Sequence, residues 1–207
     1  MSSPLAVPPP LRFGDLDPDP HRQFAAWLDA ARDAGVHEPE AMTLATASPD
    51  GTPSARMVLL RGHGPDGFAL FTNYTSRKAR ELDANPRAAL VFHWDSLGRQ
   101  IRVEGTVARM PAPESDAYFA TRPRGSRIGA WASPQSAPIS DREALERAAT
   151  DAERRFGDGT IPRPDHWGGY RLTATAFEFW QHGRDRLHDR FSYVPVGDGW
   201  SIARLAP

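Results

Sequence analysis

The chain has 207 residues, a formal net charge of −1 and 40% hydrophobic residues, which describes an ordinary globular protein of one or two domains. It lacks the strong positive charge of most nucleic-acid-binding proteins, and without cysteine it has no disulfide, thiol nucleophile or cysteine-ligated metal. No apolar run is long enough to span a membrane and the start shows no signal-peptide pattern, so we expect a cytoplasmic protein.

The N-terminal part of the sequence divides into an arm and a helix. Residues 1–19 are rich in proline and predict a flexible arm, and residues 20–207 are expected to form a single domain. Phe24, Trp27 and Leu28 recur at helical spacing, which predicts a helix over residues 20–34.

Strand patterns dominate the remainder. Apolar and β-branched runs alternate with turns rich in Gly, Pro, Asp and Asn. The predicted strands are MTLATAS, PSARMVLLRG, GFALFTN, RAALVFHW, RQIRVEGTVARM, GGYRLTATAFEFWQ, DRFSYVPV and WSIARLAP. The predicted helices run from a cap at Thr75 or Ser76 to Asp83, from Pro113 to Phe119, and from a Ser140–Glu143 capping box to about Phe156. The pattern predicts a mainly β fold, an antiparallel barrel with peripheral helices.

The signatures of several common enzyme classes are absent from the sequence. There is no HExxH, no GxGxxG between a strand and a helix, no GxxxxGK[ST] and no GxSxG. The seven histidines are scattered, with no pair at ligand spacing on a helix, so no metal site is predicted.

Basic residues at the start of the short helix predict an anion site. Arg77 and Lys78 fall in its first turn, where the helix dipole disfavours cations unless an anion binds there. Lys78 is the only lysine among 25 basic residues. Further phosphate-type donors cluster in RPRGSR, which begins at Arg122, and in SPQS, which contains Gln135. Several such clusters in one chain predict an anionic, phosphate-bearing ligand.

Two features stay open on local sequence alone. The charged stretch FWQHGRDRLHDR, residues 179–190, is typical both of a solvated hairpin tip and of a ligand-binding loop. Trp180 precedes it and is a candidate to contact a flat ring, whereas Trp167 beside two glycines is more typical of core packing.

The order of the longer motifs resembles the pyridoxamine (pyridoxine) 5′-phosphate oxidase family from about Leu11 to Pro207. The motifs that carry the resemblance are RMVLLRG, FTNYTSRKARELDANPRAALVFHW, GRQIRVEG, YFATRPRGSRIGAWASPQS, WGGYR, EFWQ and RLHDR. The resemblance implies a homodimer of antiparallel, FMN-binding split β-barrels with FMN at the subunit interface. It implies oxidation of pyridoxamine and pyridoxine 5′-phosphates to pyridoxal 5′-phosphate, with O2 as acceptor.

The resemblance also assigns site residues. FMN would contact Arg56, Met57, Val58, Leu59, Leu60, Arg61, Phe71, Thr72, Arg77, Lys78, Gln100, Gln135, Ser136, Trp180 and Arg190. The substrate would contact Arg61, Tyr118, Arg122, Ser126, Arg186, Leu187 and His188. Arg186 and His188, placed over the pyridine ring, are the candidate catalytic residues. The charged stretch is then aimed at a ligand.

Two departures from the family pattern bear on the substrate. Arg61 stands where the family usually has lysine, and the arm MSSPLAVPPPLRF lacks the tyrosine that helps to cover the substrate in many members. The alternatives are a related split-barrel flavin oxidase with a phenazine-type substrate, or a non-catalytic binder of FMN or pyridoxal phosphate. No nucleic-acid or membrane partner is expected.

Overall fold

The computed structural model describes residues 8–207, so the first seven residues of the predicted arm lie outside it. Its helices are α1 (Pro20–Asp33), α2 (Arg77–Ala84), α3 (Ala112–Thr121), α4 (Arg124–Ala132) and α5 (Arg142–Phe156). Its strands are β1 (Ala41–Ala47), β2 (Pro53–Leu59), β3 (Phe68–Asn73), β4 (Arg87–Trp94), β5 (Arg99–Arg109), β6 (Trp167–Gln181), β7 (Asp189–Val196) and β8 (Gly199–Leu205). Short 3-10 helices lie at Phe13–Asp15, Asp95–Leu97 and Arg184–Arg186. In this part of the chain no helix is long and apolar enough to cross a membrane.

The strands form one antiparallel sheet in the order β2-β1-β4-β5-β6-β7-β8, with β3 pairing separately with β6. The predicted mainly β fold with peripheral helices is therefore confirmed. Between the end of β2 and β3 the described residues form only an isolated bridge, between Gly62 and Ala69. The sheet therefore does not close into a continuous barrel. β6 is the central element, since its 15 residues pair with β3, β5 and β7.

Side chains alternate between the two faces of the sheet, and one face packs on a core that α1 covers. In β1, Met42 and Leu44 are fully buried while their neighbours are not, as the two-residue period of a strand requires. The ring of Phe24 in α1 lies edge-on to Phe68 and Phe92, with centroids 4.9 Å apart in both pairs. Fully burying a side chain of this size stabilises the fold by roughly 1.5–3 kcal/mol.

Two glycines allow backbones to approach closely at bends of the sheet. β5 and β6 slip in register between Glu104 and Gly105, and a Cβ at Gly105 would lie 2.1 Å from the carbonyl oxygen of Thr173. Gly67, which precedes β3, has a φ of +114°, and a Cβ there would lie 2.3 Å from the oxygen of Leu172. Any other residue at these bends would push β6 away from its neighbours.

The helices differ from prediction at two points. The cap of α5 is Asp141, whose carboxylate accepts from the amide of Ala144 at 2.6 Å, so the predicted cap at Ser140 was wrong by one residue. Helix α4 was not predicted, because Gly125 and Gly129 depress its helix propensity. Its burial against α5 and the start of β6 compensates, in a second apolar cluster that includes Ile128.

Residues 8–19 contact the sheet at several points. Leu11 is buried, and its amide donates to the carboxylate of Asp189 at 2.9 Å. The Leu11 carbonyl accepts from Arg204 at 2.8 Å, and the carbonyl of Pro9 accepts from Gln181 at 2.8 Å. These contacts join the chain entry to the end of β6 and the beginning of β7.

Candidate functional site

A cavity of about 810 Å³ lies where the end of β2, β3 and the start of α2 face α3 and α4. These elements are far apart in sequence, so the fold gathers side chains that no local pattern connects. Sequence-predicted site residues that line it are Met57, Val58, Leu59, Arg61, Phe71, Thr72, Lys78, Tyr118, Arg122, Ser126 and Gln135. Other lining residues include Asn73, Thr121, Ser133 and Trp167.

Lys78 supplies a buried cation to this cavity. Its side chain is 9% exposed, and its ammonium donates to Thr72 Oγ1 at 3.2 Å and Gln135 Oε1 at 2.9 Å. Burial lowers the pKa of Lys78, and the nearby Arg56 lowers it further. Within residues 8–207 its hydrogen-bond acceptors are neutral, so the ammonium is an attractive partner for an anion.

A buried carboxylate holds two arginines beside Lys78. Glu81, whose side chain is 8% exposed, accepts from Arg56 Nη2 at 3.0 Å and from Arg77 Nε at 2.8 Å. The hydroxyls of Thr46 and Ser54 donate to the same carboxylate at 2.5 and 2.6 Å. Three cations and one carboxylate leave this cluster with a positive charge in excess, which suits a phosphate dianion.

Acidification is expected to destabilise the protein through Glu81. Burial raises the pKa of Glu81, but hydrogen bonds from two hydroxyls and two arginines outweigh it and lower the pKa from 4.5 to about 2. Because the folded-state pKa lies below the unfolded-state value, the stabilisation is present above pH about 4.5 and is lost as the pH falls toward about 2. Urea unfolding of the wild type and Glu81→Gln across this range should show their stability difference shrinking. A difference independent of pH would contradict this prediction.

Aromatic rings form one wall of the cavity. Phe71 stacks on Tyr118 with centroids 3.9 Å apart, and Trp167 lies parallel to Phe71 at 5.5 Å. Trp167 is 6% exposed and belongs to the second apolar cluster, yet it also lines the cavity. The sequence interpretation of Trp167 as a core residue therefore describes only part of its surroundings.

Arg122, at the end of α3, lies against this wall. Its guanidinium carbon is 4.6 Å from the centre of the Trp167 ring and 5.6 Å from that of Phe119. Burial lowers the pKa of Arg122, Tyr118 raises it, and repulsion from Arg61 lowers it. Its Nη1 is buried and has no hydrogen-bond partner among residues 8–207. A buried N–H donor without an acceptor is costly, and an anionic ligand in the cavity would satisfy it.

Arg61 also lines the cavity, at the position where the resemblance implies a lysine. Its amide is fixed by a 2.8 Å hydrogen bond to the carbonyl of Ala69, and its exposed side chain reaches the cavity near Arg122. We expect Arg61→Lys to change kcat/KM for a phosphorylated substrate by less than about tenfold, roughly 1.4 kcal/mol, because the charge is retained. Steady-state kinetics of the two proteins test this. A larger change in either direction would show that position 61 sets substrate preference.

The predicted catalytic residues lie on a separate tip that lines none of this cavity. Asp185 and Arg186 have φ values of 54° and 64°, a left-handed conformation that non-glycine residues rarely adopt. The ring of His188 lies 4.6 Å from that of Trp180, and its Nδ1 accepts from the amide of Gly183 at 3.1 Å. Burial, His182 and Arg186 lower the pKa of His188, which favours the neutral form of the ring. Leu187 is 72% exposed.

Gln100 and Arg190 lie beside the tip. Gln100 pairs with Trp180 across β5 and β6, and Arg190 forms an ion pair with Glu178 at 3.0 Å. The predicted site residues thus form two groups in one chain. One group lines or adjoins the cavity. The other lies at or beside the tip and comprises Gln100, Trp180, Arg186, Leu187, His188 and Arg190.

The remaining predicted residues adjoin the cavity without lining it. Arg56 and Arg77 pair with Glu81 on α2, and Arg56 lies near Lys78, which lines the cavity. Leu60 is buried in the main core. Ser136 follows Gln135 with a φ of 71°, a left-handed turn. Sequence reasoning missed Glu81, although its position four residues after Arg77 is the spacing at which helical charges pair.

Two family models match successive parts of this chain. A family model described as pyridoxamine 5′-phosphate oxidase matches residues 28–155. A second, described as the pyridoxine 5′-phosphate oxidase C-terminal dimerisation region, matches residues 167–207. Relatives named pyridoxine/pyridoxamine 5′-phosphate oxidase are found in Rubrobacter xylanophilus (58% identity; 92% of this chain, 88% of the relative) and Bordetella avium (60%; 91% and 89%).

Two solved structures share the fold over nearly the whole chain. PhzG from Burkholderia lata, in complex with tetrahydrophenazine-1-carboxylic acid, matches with a TM-score of 0.88 and 34% identity over 94% of this chain and 95% of its own. A pyridoxamine 5′-phosphate oxidase-related, FMN-binding protein from Nostoc punctiforme matches with a TM-score of 0.72 and 19% identity over 93% of this chain and 100% of its own.

Proposed function

The chain belongs to the pyridoxamine 5′-phosphate oxidase family, and from that membership we propose that it is an FMN-dependent oxidase of vitamin B6 phosphates. Its substrates are pyridoxamine 5′-phosphate and pyridoxine 5′-phosphate, and its product is pyridoxal 5′-phosphate. When bound, FMN supplies the hydride acceptor that O2 reoxidises with release of hydrogen peroxide. From the amine, the reaction consumes water and O2 and releases ammonia and hydrogen peroxide.

The observation that carries the proposal is the buried, unpartnered Nη1 of Arg122 in a cavity that also contains Lys78. FMN and the substrate each bring one phosphate, and the cavity offers cations on two different elements, α2 and the end of α3. The residues present therefore fit both molecules. Lys78 and Arg77 would bind the FMN phosphate, and Phe71 with the β2 backbone would border its ring.

The protein's own groups orient the substrate. Arg122, Arg61 and Ser126 would hold its phosphate, while Tyr118 belongs to the aromatic wall beside it. Anchoring the phosphate fixes the reacting carbon relative to the cofactor, so binding energy far from the reaction is used for positioning. Arg186 and the neutral His188 would lie over the pyridine ring and fix its orientation and charge.

A homodimer is part of the proposal, because the tip with Arg186 and His188 lines none of the cavity in its own chain. The match of residues 167–207 to a dimerisation region supports it, and these residues include the tip. The exposed Leu187 and the left-handed backbone at Arg186 suit a loop held against a second subunit. Each site would then combine the cavity of one subunit with the tip of its partner.

A second candidate function is oxidation of a phenazine-type substrate. The 34% identity to PhzG favours it, whereas the 58–60% identity to the B6-phosphate oxidases and the cations of the cavity favour the first. A phenazine-type carboxylate carries no phosphate, so it would leave some cations of the cavity without an anionic partner.

The test is the visible spectrum of the FMN-loaded protein without oxygen, before and after pyridoxamine 5′-phosphate is added. Bleaching of the flavin absorbance, formation of pyridoxal 5′-phosphate and recovery of the colour in air are expected. Pyridoxamine without phosphate is the matched control and should bleach the flavin far more slowly. A flavin that stays oxidised with both B6 phosphates but bleaches with a dihydrophenazine carboxylate would favour the second candidate. A flavin that no reductant of either class bleaches would indicate a non-catalytic binder.

A further inference from the structure

Glu81 is an anionic side chain inside a cluster of cations that the proposed function assigns to a phosphate. By charge alone it should repel that phosphate. It is nevertheless buried on α2 and accepts hydrogen bonds from four side chains. A buried carboxylate with this many donors is firmly placed, because each donor that loses it would be left without an acceptor.

The hydrogen bonds of Arg56 show what the carboxylate does. Nη2 donates to Glu81 and to Ser54, and Nη1 donates to Thr46 Oγ1 and to the carbonyl of Leu44. Four of its five N–H groups are therefore used inside the protein. Its Nε has no acceptor within residues 8–207, so the guanidinium is held in one orientation with one N–H group left for a ligand.

Arg77 is held by the other oxygen of the Glu81 carboxylate. Its Nε donates to Glu81 Oε1 at 2.8 Å, while the side chain is 59% exposed and its two terminal nitrogens have no acceptor in the described part of the chain. A long exposed arginine loses considerable rotamer entropy when it binds a ligand. Tethering its Nε in advance reduces that loss and leaves the terminal N–H groups for an anion.

We propose that Glu81 is a positioning residue, which orders Arg56 and Arg77 around the phosphate of FMN and thereby makes the site selective for FMN over riboflavin. This inference rests on the proposed function. It predicts the opposite sign from simple electrostatics, because removing a negative charge near a phosphate should strengthen binding, whereas removing a positioning group should weaken it.

The experiment measures the Kd values of FMN and riboflavin by flavin fluorescence quenching for the wild type and Glu81→Gln. Glutamine keeps the size of the side chain and removes its charge. We expect the Kd of FMN to rise by about tenfold, the effect of a lost charged hydrogen-bond network, and that of riboflavin to change by less than about threefold. FMN binding that is unchanged or tighter in the variant would overturn the proposal.

Asp83→Asn is the matched control. It removes the same charge from the same helix, but Asp83 binds Arg109 and Tyr170, away from the cation cluster. Its Kd for FMN should stay within about twofold of the wild-type value, since screened charge alone has little effect at this range. An equal loss of FMN affinity in both variants would overturn the positioning role.

Thr46→Val covers the case in which Glu81→Gln does not fold. It removes one hydroxyl that donates to Glu81 and accepts from Arg56, and it leaves every charge in place. A fall of about threefold in FMN affinity with riboflavin unaffected supports the proposal, and no fall overturns it. If the wild type binds FMN no better than riboflavin, the proposed function fails instead.

Discussion

Replacing Arg122 by methionine is expected to lower kcat/KM for pyridoxamine 5′-phosphate by at least about 100-fold, because charged hydrogen bonds contribute roughly 1.5–3 kcal/mol each. In the absence of ligands, the Tm of this variant should equal or exceed that of the wild type. The reason is that Nη1 of Arg122 is buried without a partner in the described residues. Removing it should therefore raise the free energy of unfolding of the ligand-free protein. Methionine retains apolar contact with the ring of Trp167.

Arg124→Met is the control for this prediction. Arg124 lies two residues away, but it pairs with Glu153 at 2.8 Å and donates to backbone carbonyls. Its loss should lower Tm slightly and leave kcat/KM within about twofold. Calorimetry and steady-state kinetics on both variants separate the two arginines. A drop of several degrees in the Tm of Arg122→Met would show that Arg122 mainly supports the fold.

Mixing two inactive variants is expected to restore activity. In the proposed dimer each site combines the cavity of one subunit with the tip of the other. A mixed dimer of Arg122→Met and Arg186→Ala therefore contains one site with both defects and one with none. Random reassociation makes half of all dimers mixed, so about one quarter of wild-type activity should return. Each variant alone should stay at least tenfold below wild type in kcat/KM.

The control is a mixture of Arg122→Met with Lys78→Met. Both residues belong to the cavity of their own chain, so every site in every dimer keeps one cavity defect and activity should not return. Activity is measured after partial unfolding and refolding of the mixed subunits. If the first mixture stays as inactive as the second, cavity and tip act within one chain, and the proposed two-subunit site is wrong.

Local pattern was sufficient for the strands and for α2. In β1 and β5 the apolar period is two and the turns carry glycine, while Ser76 accepts from the amide of Ala79 as the predicted cap of α2. Tertiary packing decided the rest. Helix α4 forms despite Gly125 and Gly129. The pairing between the end of β2 and β3 is limited to the isolated bridge of Gly62 with Ala69, which no local pattern encodes.

The candidate site divides in the same way. Cations at the start of α2 conflict with the helix dipole, and this local conflict predicted an anion at Lys78. That Arg122 has an unpartnered nitrogen, and that Trp167 serves both core and cavity, follow only from the packing of α3 against β6. In the sequence Glu81 is an ordinary helical charge. Only the folded sheet brings the hydroxyls of Thr46 in β1 and Ser54 in β2 within hydrogen-bond distance of it.

The scarcity of lysine acquires a chemical consequence from the burial of Lys78. The product of the proposed reaction is an aldehyde, and aldehydes condense with uncharged amines on protein surfaces. This chain carries 25 basic residues but a single side-chain amine, which is 9% exposed and held by Thr72 and Gln135. Arginine supplies the positive charge elsewhere and does not form such adducts readily. No exposed lysine is therefore available to the aldehyde that the protein is proposed to make.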